Sequence, residues 1–301
     1  MELKNNQNKK EEIDIKNKDK TKINREFFPQ IKYPKEVDLI DELNEANKEK
    51  YQKWLYKKAI TKKISEGCTL LIGVKAKNGI VLGGDTKAMR GGETDFEKKV
   101  KTFEIHKNAP IIFASAGAVG VIDDFLEIFE KTLVASSRDG KINNLLSIKM
   151  IAEDLVEKAE MRYGPKLGQP PLHFILGGLS ELNKGERRLY EIGPGGFGQK
   201  IKYTCLVGHG CQYARTIAKY LFPQDKKRGL ISLDCNEAVQ RMATCIYWVA
   251  DGIDDYVGGD PQIFYMLDKE PGVKEGKYNK GKILKKIKDL KGCLENINFD
   301  K

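Results

Sequence analysis

Long apolar runs, cysteine pairs and histidines are all scarce in this chain. No apolar run approaches the roughly 18 residues that a bilayer crossing needs. The opening residues, Met1-Glu2-Leu3-Lys4-Asn5, lack the apolar segment of a secretory signal. Both absences point to the cytoplasm and away from a membrane. The six cysteines (Cys68, Cys205, Cys211, Cys235, Cys245 and Cys293) include no CxxC pair. Several fall inside apolar patterns, so buried free thiols are expected. The three histidines, His106, His173 and His209, stand far apart and show no metal-ligand spacing. Neither a metal nor a cofactor is expected.

Charge is plentiful but unevenly placed. The net charge is +10. Met1–Cys68 carries 17 basic and 13 acidic side chains, and Lys269–Lys301 carries ten and five, which leaves one net positive charge between them. The excess therefore lies in the two ends. No zinc-finger, helix-turn-helix, RRM or KH signature accompanies it, so solvated tails are expected rather than a nucleic-acid site.

Residues 1–22 are almost all Lys, Asn, Glu, Asp and Gln and cannot bury enough apolar area to offset ordering, which predicts disorder. Glu26 to Pro34 carries apolar anchors between prolines. From 36 to 64, Leu39, Ile40, Leu43, Ala46, Trp54, Leu55 and Ile64 recur mostly at three- to four-residue steps, which predicts an amphipathic helix.

The pattern changes at Glu66-Gly67-Cys68-Thr69-Leu70-Leu71-Ile72-Gly73-Val74, where the charged leader gives way to an apolar strand. Thr69–Ala76 and Ile80–Asp85, joined through Asn78-Gly79, read as a hairpin. Ala109–Ala114 reads as a strand, followed by helices over 117–135 and 143–162, the second stopped by Gly164-Pro165. Strands are expected at 172–179, 188–192 and 200–207, helices at 211–221 and 236–249, and a last strand at 262–267. Gly193-Pro194-Gly195-Gly196-Phe197-Gly198 contains G-x-G-x-x-G. A strand follows it rather than a helix, so a hairpin turn is expected instead of a nucleotide loop. Beyond Leu267, Lys282–Leu290 reads as a short basic amphipathic helix, either solvated or laid on a neighbour.

Asp85 follows Thr69 by 16 residues and Lys101 by 32. With Asp85-Thr86-Lys87-Ala88, Lys101-Thr102-Phe103-Glu104-Ile105 and Ala116-Gly117-Ala118-Val119-Gly120, these spacings resemble those of proteasome β subunits. The resemblance implies an α+β fold, the four-layer αββα sandwich of N-terminal-nucleophile hydrolases, over 69–268. It implies a leader at 1–68 that is removed or retained, and a basic tail at 269–301. It also implies polypeptide as substrate and a ring of like β subunits, with α subunits as further partners.

For the site, the resemblance implies that cleavage between Cys68 and Thr69 makes Thr69 the first residue, whose α-amine activates its own hydroxyl. Lys101, held by Asp85, favours the ionised oxygen, and the Gly117 N–H stabilises the oxyanion. A specificity pocket maps to Ala88, Lys99, Phe103, Ser115 and Val119. The sequence also departs from the family. Cys68 stands where a glycine is usual before the cleaved bond. Gly208-His209-Gly210 replaces Gly-Ser-Gly, and Asp255-Tyr256-Val257-Gly258-Gly259 retains the aspartate but puts Gly258 in place of serine. His209 is therefore a candidate substitute at the nucleophile. Cys68 is a rival nucleophile, exposed if cleavage follows Gly67. Two other functions stay open: a non-catalytic assembly subunit, and a stand-alone amidohydrolase or transpeptidase of the same fold.

Overall fold

Leu71–Ala76 (β1) and Gly79–Gly84 (β2) pair antiparallel with Ala76 opposite Gly79, so Lys77-Asn78 form a two-residue turn. The computed structural model describes residues 69–90, 93–105, 110–142, 144–167, 170, 172–181, 184–225, 230–251 and 253–295, all within one unit, Lys58–Lys301. The leader expectations, including the helix over 36–64, and the Cys68 side of the cleavage site lie outside the described residues.

The remaining strands are β3 (Lys87–Arg90), β4 (Glu93–Phe96), β5 (Val100–Glu104), β6 (Pro110–Gly117), β7 (Leu172–Glu181), β8 (Lys184–Ile192), β9 (Gly198–Lys200), β10 (Thr204–Val207), β11 (Gln224–Asp225), β12 (Leu230–Ile231), β13 (Gln262–Leu267) and β14 (Lys274–Glu275). The described helices are α1 (Val119–Arg138), α2 (Leu145–Leu167), α3 (Cys211–Leu221), α4 (Cys235–Ala250) and α5 (Lys280–Glu295). Two five-stranded antiparallel sheets form, in the orders β10-β1-β2-β13-β14 and β5-β6-β7-β8-β9.

Alternation along β1 explains the layers. Leu70, Ile72 and Val74 face one way and pack with Ala214 of α3, Met242 and Ile246 of α4, and Ile283 and Ile287 of α5. Leu71 faces the other way, into a core with Ile80, Leu82, Ile112, Ala114, Ile175 and Leu189 that joins the two sheets. A third core lies between the second sheet and α1–α2. There Phe103, Phe113, Phe125, Phe129 and Phe174 meet at ring separations of 4.8 to 6.3 Å. The result is the expected αββα sandwich. Both faces of β1 and β2 are covered, so neither needs the polar alternation of a half-exposed strand. Each fully buried Leu, Ile or Phe contributes roughly 1.5–3 kcal/mol.

Four local expectations need correction. The segment 200–207 is not one strand: β9 ends at Lys200 in the second sheet, Ile201 drops into the inter-sheet core, and β10 starts at Thr204 in the first sheet. Helix α2 runs past Pro165 to Leu167, because a proline in the last turn removes only one backbone bond. Lys87–Phe96 forms an extra two-stranded hairpin, β3–β4. The basic tail is neither a solvated helix nor an arm, since Ile283 and Ile287 of α5 are buried against α4 in the chain's own core. The Gly193–Gly198 loop is a turn between β8 and β9, which pair antiparallel. Among the described residues, no helix is long and apolar enough to cross a membrane.

Candidate active site

The head of β1 is held by a buried carboxylate. Asp85 directly follows β2, beside the start of β1, and is 0% exposed. Its Oδ1 accepts the Leu70 N–H at 2.8 Å and the Lys99 ammonium at 2.9 Å. Its Oδ2 accepts the N–H groups of Gly258 at 3.1 Å and Lys87 at 3.2 Å. Burial pushes the Asp85 carboxyl above its ordinary range, while Lys99 and the amides of Leu70 and Gly258 pull it back. Thr69, one residue before the held amide, is 4% exposed in the intact chain. Lys99 also donates to the Lys87 carbonyl.

The cation is Lys99, not Lys101. Lys101 sits opposite Phe113 in the β5–β6 register, on the sheet face turned toward the helices, and is exposed. Its neighbour Val100 faces the inter-sheet core. Inside β5, Lys101 therefore points to the side opposite Val100, while Lys99 lies before the strand begins and reaches Asp85. Lys99 is 8% exposed and engaged, which removes it from the expected specificity pocket. Phe103 leaves that pocket too, since it packs edge-on against Phe113 and Phe129 in the helix-side core. Ala88 and Ser115 are buried and Val119, the first residue of α1, is half-buried. Gly117 ends β6 with φ +143°, a backbone conformation that favours glycine, and immediately precedes Ala118, the N-cap of α1.

A second group closes over Thr69 from β10. The Gly210 N–H donates to the Thr69 carbonyl at 3.1 Å. Gly208 has φ +95°, and a Cβ there would lie 2.3 Å from the Thr69 carbonyl oxygen, so a side chain is excluded by both backbone and space. Between them, His209 Nδ1 lies 2.9 Å from Asp254 Oδ2. Asp254 is 3% exposed. The expected Asp255 is instead exposed, and its carbonyl accepts from the Lys87 ammonium. The buried aspartate that meets His209 is Asp254, one residue before the expected Asp255. Counted from Asp254 with two residues between, the serine position falls on Val257 rather than Gly258, with a glycine after it. Nothing in the sequence separated Asp254 from Asp255. Lys99 gave no signal either, because three lysines crowd 98–101 and only the point where β5 begins separates Lys99 from Lys101. Among the described residues, no group of three or more His, Cys, Asp or Glu side chains is placed to hold a metal.

The family model for the proteasome subunit matches residues 65–264, spanning the head of β1, the Asp85–Lys99 pair and the loop bearing Asp254. The chain belongs to the proteasome family. Solved structures of similar fold include Anbu from Hyphomicrobium sp. strain MC1, at 15% identity and a TM-score of 0.62 over 77% of this chain and 100% of that one. Anbu, described as an ancestral beta-subunit, from Yersinia bercovieri is 14% identical with a TM-score of 0.60 over 76% and 95% of the two chains. The helical assembly of the Anbu complex from Pseudomonas aeruginosa gives 13% identity and a TM-score of 0.60 over 76% and 95%. At these identities the likeness establishes the proteasome-type fold. No curated protein sequence matches the chain.

Proposed function

We propose that this proteasome-family chain is a threonine-type peptidase, made as a precursor, cut before Thr69, and active on unfolded polypeptide in the cytoplasm. The observation that carries the reading is the four-point hold of Asp85, which fixes the Leu70 amide and the Lys99 ammonium around the head of β1. Once liberated, the Thr69 amine, with an ordinary pKa of roughly 8, takes the hydroxyl proton as Oγ1 attacks the peptide carbonyl. Lys99 favours the ionised oxygen. Gly117, beside the N-terminus of α1, supplies the N–H for the developing oxyanion. The substrate side chain rests against Ala88, Ser115 and Val119. The Pseudomonas aeruginosa relative is described as a helical assembly, and we extend self-assembly with like subunits to this chain.

The test is the mature N-terminus together with covalent labelling. Intact mass is expected to give a chain beginning at Thr69, and an electrophilic peptide inhibitor is expected to label Thr69 in the wild type and nothing in Thr69→Ala. A chain that keeps its leader in assembled material and resists the inhibitor is a non-catalytic assembly subunit. Label persisting in Thr69→Ala assigns the nucleophile to Cys68.

A further inference from the structure

We propose that His209 and Asp254 form a dyad that handles the proton of the liberated Thr69. The proposal rests on the threonine-peptidase reading and adds a base to it. The β1–β10 pairing ends at Leu71 and Val207, and just beyond it Gly208-His209-Gly210 closes over Thr69. The flanking glycines lock this loop on Thr69, one by the Gly210 N–H and the other by the close approach of Gly208. Asp254 is fixed independently, since its Oδ1 accepts the Tyr256 N–H at 2.9 Å and leaves Oδ2 for the imidazole. The Tyr256 ring stands edge-on to the imidazole at 5.2 Å and limits its rotation. No hydroxyl competes from the serine position, because Val257 fills it and packs against Gly210. This loop accordingly presents an imidazole where the family pattern has a hydroxyl.

With Nδ1–H donated to Asp254, the neutral tautomer leaves Nε2 as the acceptor on the opposite edge of the ring. In acylation, Oγ1 of Thr69 bonds to the substrate carbonyl carbon, and the hydroxyl proton passes through the Thr69 amine to Nε2. The C–N bond then breaks, and that proton goes to the leaving amine. In deacylation, water gives a proton by the same route, its oxygen bonds to the acyl carbon, and the ester C–O bond breaks with the proton returned to Oγ1. Asp254 and Tyr256, from the loop after α4, face the His209 ring, and the backbone of Gly208 and Gly210 ties its loop to Thr69.

The test compares purified wild type with His209→Gln, His209→Ser and Asp254→Asn. The rate of labelling by an electrophilic peptide inhibitor is followed against pH, alongside the melting temperature. In wild type, labelling at Thr69 is expected. His209→Gln is expected to lose 100-fold or more in rate, within the range of general-base catalysis, and to change the shape of the pH profile with the melting temperature held. Asp254→Asn weakens the rate and alters the profile in the same sense, and the His209→Ser hydroxyl restores part of the rate. Wild-type labelling at Thr69 with an unchanged pH profile in His209→Gln and Asp254→Asn overturns the dyad alone. Rate losses that merely track melting temperature overturn it too, leaving His209 as a brace. Failure of the wild type to label at Thr69 overturns both the dyad and the peptidase reading.

Discussion

Lys99 Nζ lies 2.9 Å from Asp85 Oδ1, with the two side chains 8% and 0% exposed. A pair this deep is sensitive to the loss of one partner, because the carboxylate left behind is a buried, uncompensated charge.

Lys99→Met is therefore expected to destabilise the chain by about 3–5 kcal/mol in urea unfolding. Lys101→Ala, on the exposed edge strand, is expected to move stability by no more than about 0.5 kcal/mol. Equal effects would return the cation's place to Lys101. In the peptidase reading, inhibitor labelling at Thr69 is lost with Lys99→Met and kept with Lys101→Ala.

Acid sensitivity is expected at Glu191. Its carboxyl is pulled from 4.5 down to about 2, first by the hydrogen bond to His173 at 3.0 Å and less by Cys205 and Gln199, against the opposing push of burial. A carboxyl held below its unfolded value adds stability that is complete above about pH 4.5 and is lost as pH falls toward 2. The contribution is on the order of 3 kcal/mol. Unfolding free energies of wild type and Glu191→Gln are expected to differ at pH 6 and to converge as pH falls below about 4; a gap constant with pH would refute this.

Thiol reactivity is expected to be graded by burial. Burial pushes Cys235 and Cys245 up to about 12 and raises Cys205 as well. The thiolate is the reactive form, so at pH 8 these three are expected to take up an alkylating agent only when the chain unfolds. Peptide-resolved mass spectrometry before and after adding denaturant reads the result.

The tail helix is expected to contribute to stability. Ile287→Ala removes a fully buried side chain and is expected to cost about 2–4 kcal/mol. Lys286→Ala, on the exposed face of α5, is expected to change little. A negligible effect of Ile287→Ala would mean that α5 does not hold its place in solution.

The sequence made the sandwich legible because its strands are unusually explicit. Asn78-Gly79 sits between two apolar β-branched runs, and Phe125, Phe129 and Leu133 repeat at helical spacing on α1. Thr69 and Asp85 could be singled out because a hairpin of fixed register separates them. Lys99 and Asp254 were hidden for one common reason. Each sits one or two residues from a chemically identical neighbour, Lys101 or Asp255, and only backbone direction decides which is buried. The change of sheet at Ile201 was hidden too, because an apolar residue inside a strand-like run gives no sign that the backbone leaves one sheet for the other. The burial of α5 was equally unreadable: Ile283 and Ile287 lie one helical turn apart, a spacing that fits a solvated surface helix as well as a docked one.

The passage of residues 198–207 from one sheet into the other carries a mechanical consequence. Between Lys200 and Thr204 a single covalent thread, pinned by Ile201, stitches the layers together. A protease cut there would leave this crossing unable to transmit tension. The far end of that thread is the loop that grips Thr69, so strain between the layers would be felt first at the proposed nucleophile.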